Sequence, residues 1–123
     1  MKVQRPKTVI CDIDGTLIEH RGAASRHMSN SPKILPYVID RLEEWDLKGY
    51  SIVLLTGRKE SMRNKTEQQL EMCGIFYDQL IMGVGGGQRI LINDLKPTDS
   101  DPNNPTAVAI NLKRNEGLEN VKI

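Results

Sequence analysis

Asp12 and Asp14 stand two residues apart at the end of the apolar run Thr8 to Cys11, and Gly15 and Thr16 follow at once. Two like charges this close repel each other unless a cation lies between them or one of them holds a proton. Either arrangement suits chemistry. A hard, oxygen-liganded cation such as Mg²⁺ would neutralise one carboxylate, and a raised pKa would leave the other as a general acid or base. If the run is a strand, its period of two leans both carboxylates the same way and sends Ile13 into the core. Gly15 then lets the backbone turn sharply. The plainer reading of the same residues is a strand closed by an ordinary Asp-Gly turn.

Two further apolar runs end in residues of the same kind. Tyr50 to Leu55 leads into Thr56-Gly57-Arg58, where a hydroxyl beside a glycine can hydrogen-bond a phosphate oxygen and the planar arginine fork can grip phosphate or carboxylate. Ile90-Leu91-Ile92 leads into Asn93 and Asp94, a third acidic tip, with Arg89 and Lys96 as the cations on either side. In open α/β sheets, ligands gather at the carboxyl ends of strands.

The elements that must position these tips alternate in type. Strands are expected at Thr8, Tyr50, Ile90 and Ala107 to Leu112, with a shorter one at Leu80. Helices are expected over Ile34 to Leu47, with Leu35, Val38, Ile39, Leu42 and Trp45 on one face, and over Glu60 to Cys73, whose inner face of Met62, Leu70 and Cys73 is weak. This order predicts one α/β domain over residues 1–123, a Rossmann-like parallel sheet of about five strands with flanking helices. Residues 18–33 read as a loop or hairpin flap leaving the strand end, where His20, Arg21, Arg26 and His27 either reach a phosphorylated substrate or belong to a plain solvated loop. Residues 113–123 read as a polar, loosely held tail.

At 123 residues with a net charge of +1, the chain carries no bulk electrostatic signal for nucleic acid or an acidic membrane. Cys11 and Cys73 lack metal-ligand spacing and read as reduced thiols. The expectation is a cytoplasmic protein without a signal peptide or membrane span.

Asp12-Ile13-Asp14-Gly15-Thr16, following an apolar strand near the amino terminus, resembles the first motif of the haloacid dehalogenase (HAD) superfamily, most of whose members are Mg²⁺-dependent phosphatases. Thr56 stands where the second motif has Thr or Ser, and the segment from Asp94 to Asp99 resembles the fourth, with Asn93-Asp94 in place of the commoner Gly-Asp or Asp-Asp. The third motif, ordinarily a helix and a lysine ahead of the fourth strand, is replaced by Gly83 to Gln88 and Arg89. Neither gap in which the family inserts a cap has room for one.

The resemblance implies a capless phosphatase in which Asp12 is the nucleophile and Asp14 the general acid and base. It implies Mg²⁺ held by Asp12, the Asp14 main-chain carbonyl and Asp94, with Asn93 and Asp99 in supporting positions. Thr56, Gly57, Arg58 and either Arg89 or Lys96 would hold the phosphate. The expected substrate is a small phosphorylated metabolite such as a sugar phosphate. The alternatives are a nucleotide or nucleic-acid-end phosphatase and a non-catalytic Mg²⁺- or phosphate-binding regulatory subunit. The missing helix would leave part of the sheet uncovered, so a homo-oligomer is expected.

Overall fold

The computed structural model describes residues 5–22, 31–96 and 106–123. Three parallel strands form its sheet in the order β1-β2-β3: β1 is Thr8–Asp12, β2 Ser51–Leu55 and β3 Gln79–Ile81. Asp12 lies level with Leu55, and Leu55 with Ile81, so the carboxyl ends of all three strands open on one edge. Helix α1, Val38–Leu47, joins β1 to β2, and a short 3₁₀ turn, Glu60–Met62, runs into helix α2, Arg63–Met72, ahead of β3. These are the α/β class and parallel pairing expected, around a small sheet.

The helices do what their patterns require. Val38, Leu42 and Trp45 of α1 are buried against Ile52 and Leu54 of β2 and Ile13 and Leu17 of the turn after β1. α1 begins four residues later than Ile34, because Leu35 is drawn into backbone pairing with Leu17 and Tyr37 takes a left-handed conformation, φ 63°. The expected flap opens and closes on antiparallel pairing: Glu19 donates to Lys33 and Leu35 to Leu17. Arg26 and His27 of the flap lie outside the described residues.

The fourth and fifth expected strands do not form. Ile90, Leu91 and Ile92 are 77%, 65% and 92% exposed and unpaired, and Val108 and Ile110 are also exposed. β1 pairs with β2 alone among the described residues, and Ile10 in its middle is half exposed. Chain length supplies the reason. Val84 donates to the Thr56 carbonyl at the end of β2, so only Gly85 to Arg89 remain as connector. Extended, that span covers about 20 Å. A strand parallel to β1 on its open edge would start about 10 Å across and about 17 Å back along the sheet, and the path must also go round the sheet face. A crossover of that kind normally carries a helix, and this chain has none there.

The tail is also corrected. Leu118 and Val121 are buried, Leu118 donates to the Pro36 carbonyl, and the Arg41 guanidinium of α1 caps the carbonyls of Leu118 and Glu119. Two apolar side chains spaced by three outweigh the polarity of the rest, each worth about 1.5–3 kcal/mol on burial. Gly117, at φ 87°, makes the closest approach: a Cβ there would stand 2.6 Å from the Pro36 carbonyl oxygen. Gly117→Ala is therefore expected to cost about 2–3 kcal/mol through forced separation and backbone strain, checked by urea unfolding. A loss below about 0.5 kcal/mol would show that the tail is not held there.

Candidate active site

The turn after β1 is closed by its own backbone. The Ile13 carbonyl accepts from Thr16, Leu17 and Ile18, and Gly15 donates to Ile18. Ile13 and Leu17 are fully buried beneath it. This locks the two carboxylates on either side of Ile13 at the open end of the sheet. Gly15 takes φ 87°, the left-handed conformation its position in the turn demands.

Asp14 is held by an arginine. Arg58 Nη2 donates to Asp14 Oδ1 at 2.7 Å and Nε to Oδ2 at 2.9 Å, a bidentate pair with the guanidinium fully buried. The remaining edge of the guanidinium is taken by α2: Nη1 donates to Thr66 Oγ1 at 3.1 Å and to Gln69 Oε1 at 2.6 Å. Gln69 leaves its own Nε2 buried without a partner. Turning its amide over would bring that NH₂ against the guanidinium, donor against donor, so Arg58 dictates its orientation. Arg58 is thus committed inward, as a positioning residue for Asp14, and does not face the solvent side where a phosphate would enter.

Thr56 is also buried, and its Oγ1 accepts from the Arg58 backbone N–H at 3.1 Å. Gly57 is needed for a close approach: a Cβ would stand 3.1 Å from the Val84 carbonyl oxygen. Gly83 donates to Arg58 and Val84 to Thr56, so the start of the glycine-rich segment clamps the Thr56-Gly57-Arg58 turn.

Asp12 is governed first by loss of water around its carboxyl, which raises its pKa. The Ile13 backbone N–H and Arg89 oppose that rise, the Asp14 charge adds to it, and His20 lowers it again. Arg89 is the cation that the structure brings to Asp12, and the His20 imidazole lies near it with Nδ1 accepting from the Gly22 N–H. Cys11, directly beneath, stays a neutral thiol, pushed up to about 12 by burial and by the Asp12 charge.

Asp94 and Lys96 lie on the exposed segment 90–96, with Lys96 at φ 52°. Among the described residues no cluster of three or more acidic, His or Cys side chains is placed to hold a metal. The structure does not assemble Asp94 with Asp12, because the strand that would carry it there is not formed. Asn93 donates to the Asp94 carbonyl, and Asp99 lies outside the described residues. The hard oxygens of the Asp12 carboxylate and the Asp14 main-chain carbonyl suit Mg²⁺, which fills its remaining positions readily with water. The Asp14 side chain is taken by Arg58.

Thr66, Gln69 and the 113–116 segment are the functional neighbours that the residue patterns left unmarked. The weak inner face of the second helix was the available signal, since polar side chains stood where apolar ones were due.

A parallel sheet that ends in a backbone-locked Asp-x-Asp turn, with a Thr-Gly-Arg turn on the adjoining strand, is a HAD-type phosphatase fold. The chain belongs to the polynucleotide kinase PNKP phosphatase domain family, whose model matches residues 6–89. That match takes in Asp12, Asp14, Thr56, Arg58 and Arg89 and stops before Asp94.

Among solved structures, a chain in "Structure of Pnkp1/Rnl/Hen1 complex" is 33% identical with TM-score 0.57, over 72% of this chain and 32% of that one. A chain in "Structure of the Pnkp1/Rnl/Hen1 RNA repair complex" is 31% identical with TM-score 0.56, over 76% and 29%. A Vibrio cholerae structural-genomics target shares the fold at 23% identity and TM-score 0.52, over 71% and 79%. The chain spans about a third of the length of the first two structures. No curated protein matches it. No helix among the described residues is long and apolar enough to cross a membrane.

Proposed function

We propose that this chain removes a terminal phosphomonoester from a nucleic acid. The observation that carries the proposal is the family match across residues 6–89, which contains the whole Asp12, Asp14, Thr56, Arg58 and Arg89 set. The exposure of Asp12 at the strand edge is compatible with a bulky substrate end.

In the reaction, an Asp12 oxygen attacks phosphorus and the bond from phosphorus to the leaving oxygen breaks. Asp14 gives that oxygen a proton, producing the alcohol and an aspartyl-phosphate. Asp14 then takes a proton from the water that attacks the same phosphorus, and the Asp12 carboxylate and inorganic phosphate are released. Both Asp14 oxygens accept from Arg58, so Asp14 enters the cycle by taking a proton from water on the oxygen that one lengthened contact frees, while the other contact keeps the carboxyl aimed. The proton taken in the second step restores that form for the next turnover. Arg89 offsets the negative charge that gathers beside Asp12. Mg²⁺, held by Asp12 and the Asp14 carbonyl, supplies Lewis-acid charge neutralisation when bound.

Two features support the remaining expectations. Free thiols at Cys11 and Cys73 suit a reducing, cytoplasmic setting. The exposed Ile90, Leu91, Ile92 and Ile110 side chains supply apolar surface for self-association.

The test is phosphate release from oligonucleotides phosphorylated at the 3′ or the 5′ end, against a panel of sugar phosphates, with and without Mg²⁺. We expect kcat/KM for one oligonucleotide to exceed that for every sugar phosphate by at least about tenfold, and a metal chelator to abolish turnover. Sugar-phosphate turnover that matched or exceeded it would overturn the assignment.

A further inference from the structure

We propose that Arg114 binds an anionic group of the substrate adjacent to the phosphoryl group being removed, which for a nucleic-acid end is the neighbouring phosphodiester. The inference rests on the nucleic-acid reading above and deepens it.

Arg114 belongs to the carboxyl-terminal segment, yet its side chain lies on the turn that carries the two carboxylates. A Cβ on Gly15, the residue after Asp14, would stand 3.3 Å from Arg114 Cγ and 3.9 Å from its Nε. A side chain at position 15 would press on the arginine stem, so the glycine leaves it room as well as allowing the turn.

Asn115 fixes this placement. Its backbone N–H donates to the Gly15 carbonyl at 2.8 Å, its Oδ1 accepts from the His20 N–H at 2.7 Å, and its Nδ2 donates to the His20 carbonyl at 3.2 Å. The side-chain amide thus pairs with His20 as a neighbouring strand would, across 95 residues of sequence. Asn115 adopts φ 63°, a conformation that Asn tolerates better than most residues, to make the three contacts together. Behind it, buried Gly117 and Leu118 anchor the segment on Pro36.

What this clamp delivers is an exposed guanidinium with no ion pair to Glu116 or to any other carboxylate among the described residues. Arg58, by contrast, is spent inward on Asp14, and Arg89 and His20 act on Asp12. Arg114 is therefore a cation held against Gly15, the residue after Asp14, with no ion pair among the described residues. A planar fork placed past the Asp14 turn, with Arg89 the charge that acts on Asp12 itself, suits the oxygen pair of a neighbouring phosphodiester.

The test compares wild type, Arg114→Ala and Arg114→Lys on p-nitrophenyl phosphate, which has no second anion, and on the phosphorylated oligonucleotide, at several salt concentrations. For Arg114→Ala we expect the ratio of kcat/KM between oligonucleotide and p-nitrophenyl phosphate to fall about five- to tenfold, chiefly through KM. The slope of log KM against log salt for the oligonucleotide should fall by about one, and Arg114→Lys should keep that slope. An unchanged ratio, or both substrates falling together along with the melting temperature, would overturn the role of Arg114. A wild type with no preference for the oligonucleotide would overturn the substrate reading first, and this one with it.

Discussion

Asp12→Asn is expected to release phosphate at least about a thousandfold more slowly than wild type while melting within a few degrees of it. The amide has nearly the same shape as the carboxylate but no nucleophilic oxygen, so no aspartyl-phosphate can form. Its effect on stability should be small and of either sign. Asp12 is exposed at the end of β1, and the negative charge it loses is one that Asp14 repels. Phosphate release and calorimetry on the same preparations check both halves. Equal slow release from wild type and variant would leave a phosphate-binding protein and remove the enzyme.

Arg58→Ala carries the largest expected cost in stability, about 3–5 kcal/mol. The guanidinium is fully buried and makes four side-chain contacts, two to Asp14 and one each to Thr66 and Gln69. Removing it leaves a largely buried carboxylate uncompensated and the Gln69 amide with neither end satisfied. Activity should fall about a hundredfold or more in whatever fraction stays folded, because Asp14 loses its orientation. Arg58→Lys keeps the charge but cannot bond Asp14 at two points and reach α2 as well, so it should recover less than half of the stability. A double-mutant cycle with Asp14→Asn, followed by urea unfolding, should return a coupling of about 2 kcal/mol or more. Coupling below about 0.5 kcal/mol would mean that the pair is incidental to the fold.

The second expectation depends on Arg58 facing inward, which its place in the chain does not reveal. A guanidinium after Thr56-Gly57 suits a phosphate in solvent and a buried carboxylate equally well. The distinction came from α2, where Thr66 and Gln69 turn polar atoms toward the sheet at helical spacing. The same helix looked poorly amphipathic in sequence for that reason.

Local chemistry was enough to mark β1, β2, the two helices and the residues at the strand tips, because each depends on patterns only a few residues long: apolar runs, a period of 3.6, and Gly or Thr at a turn. The family resemblance was legible in the same short stretches, above all Asp12 to Thr16. Whether a run finds a partner is not a local property. Ile90 to Asp94 and Ala107 to Leu112 have every mark of strands, yet the chain between Val84 and Ile90 is too short to carry the first of them round to β1. The tail shows the converse: a segment polar on average is anchored by Leu118 and Val121 and by a glycine pressed against Pro36, and so brings Arg114 to the catalytic turn. Spacing along the chain decided which residues could react; reach and packing in three dimensions decided which of them meet.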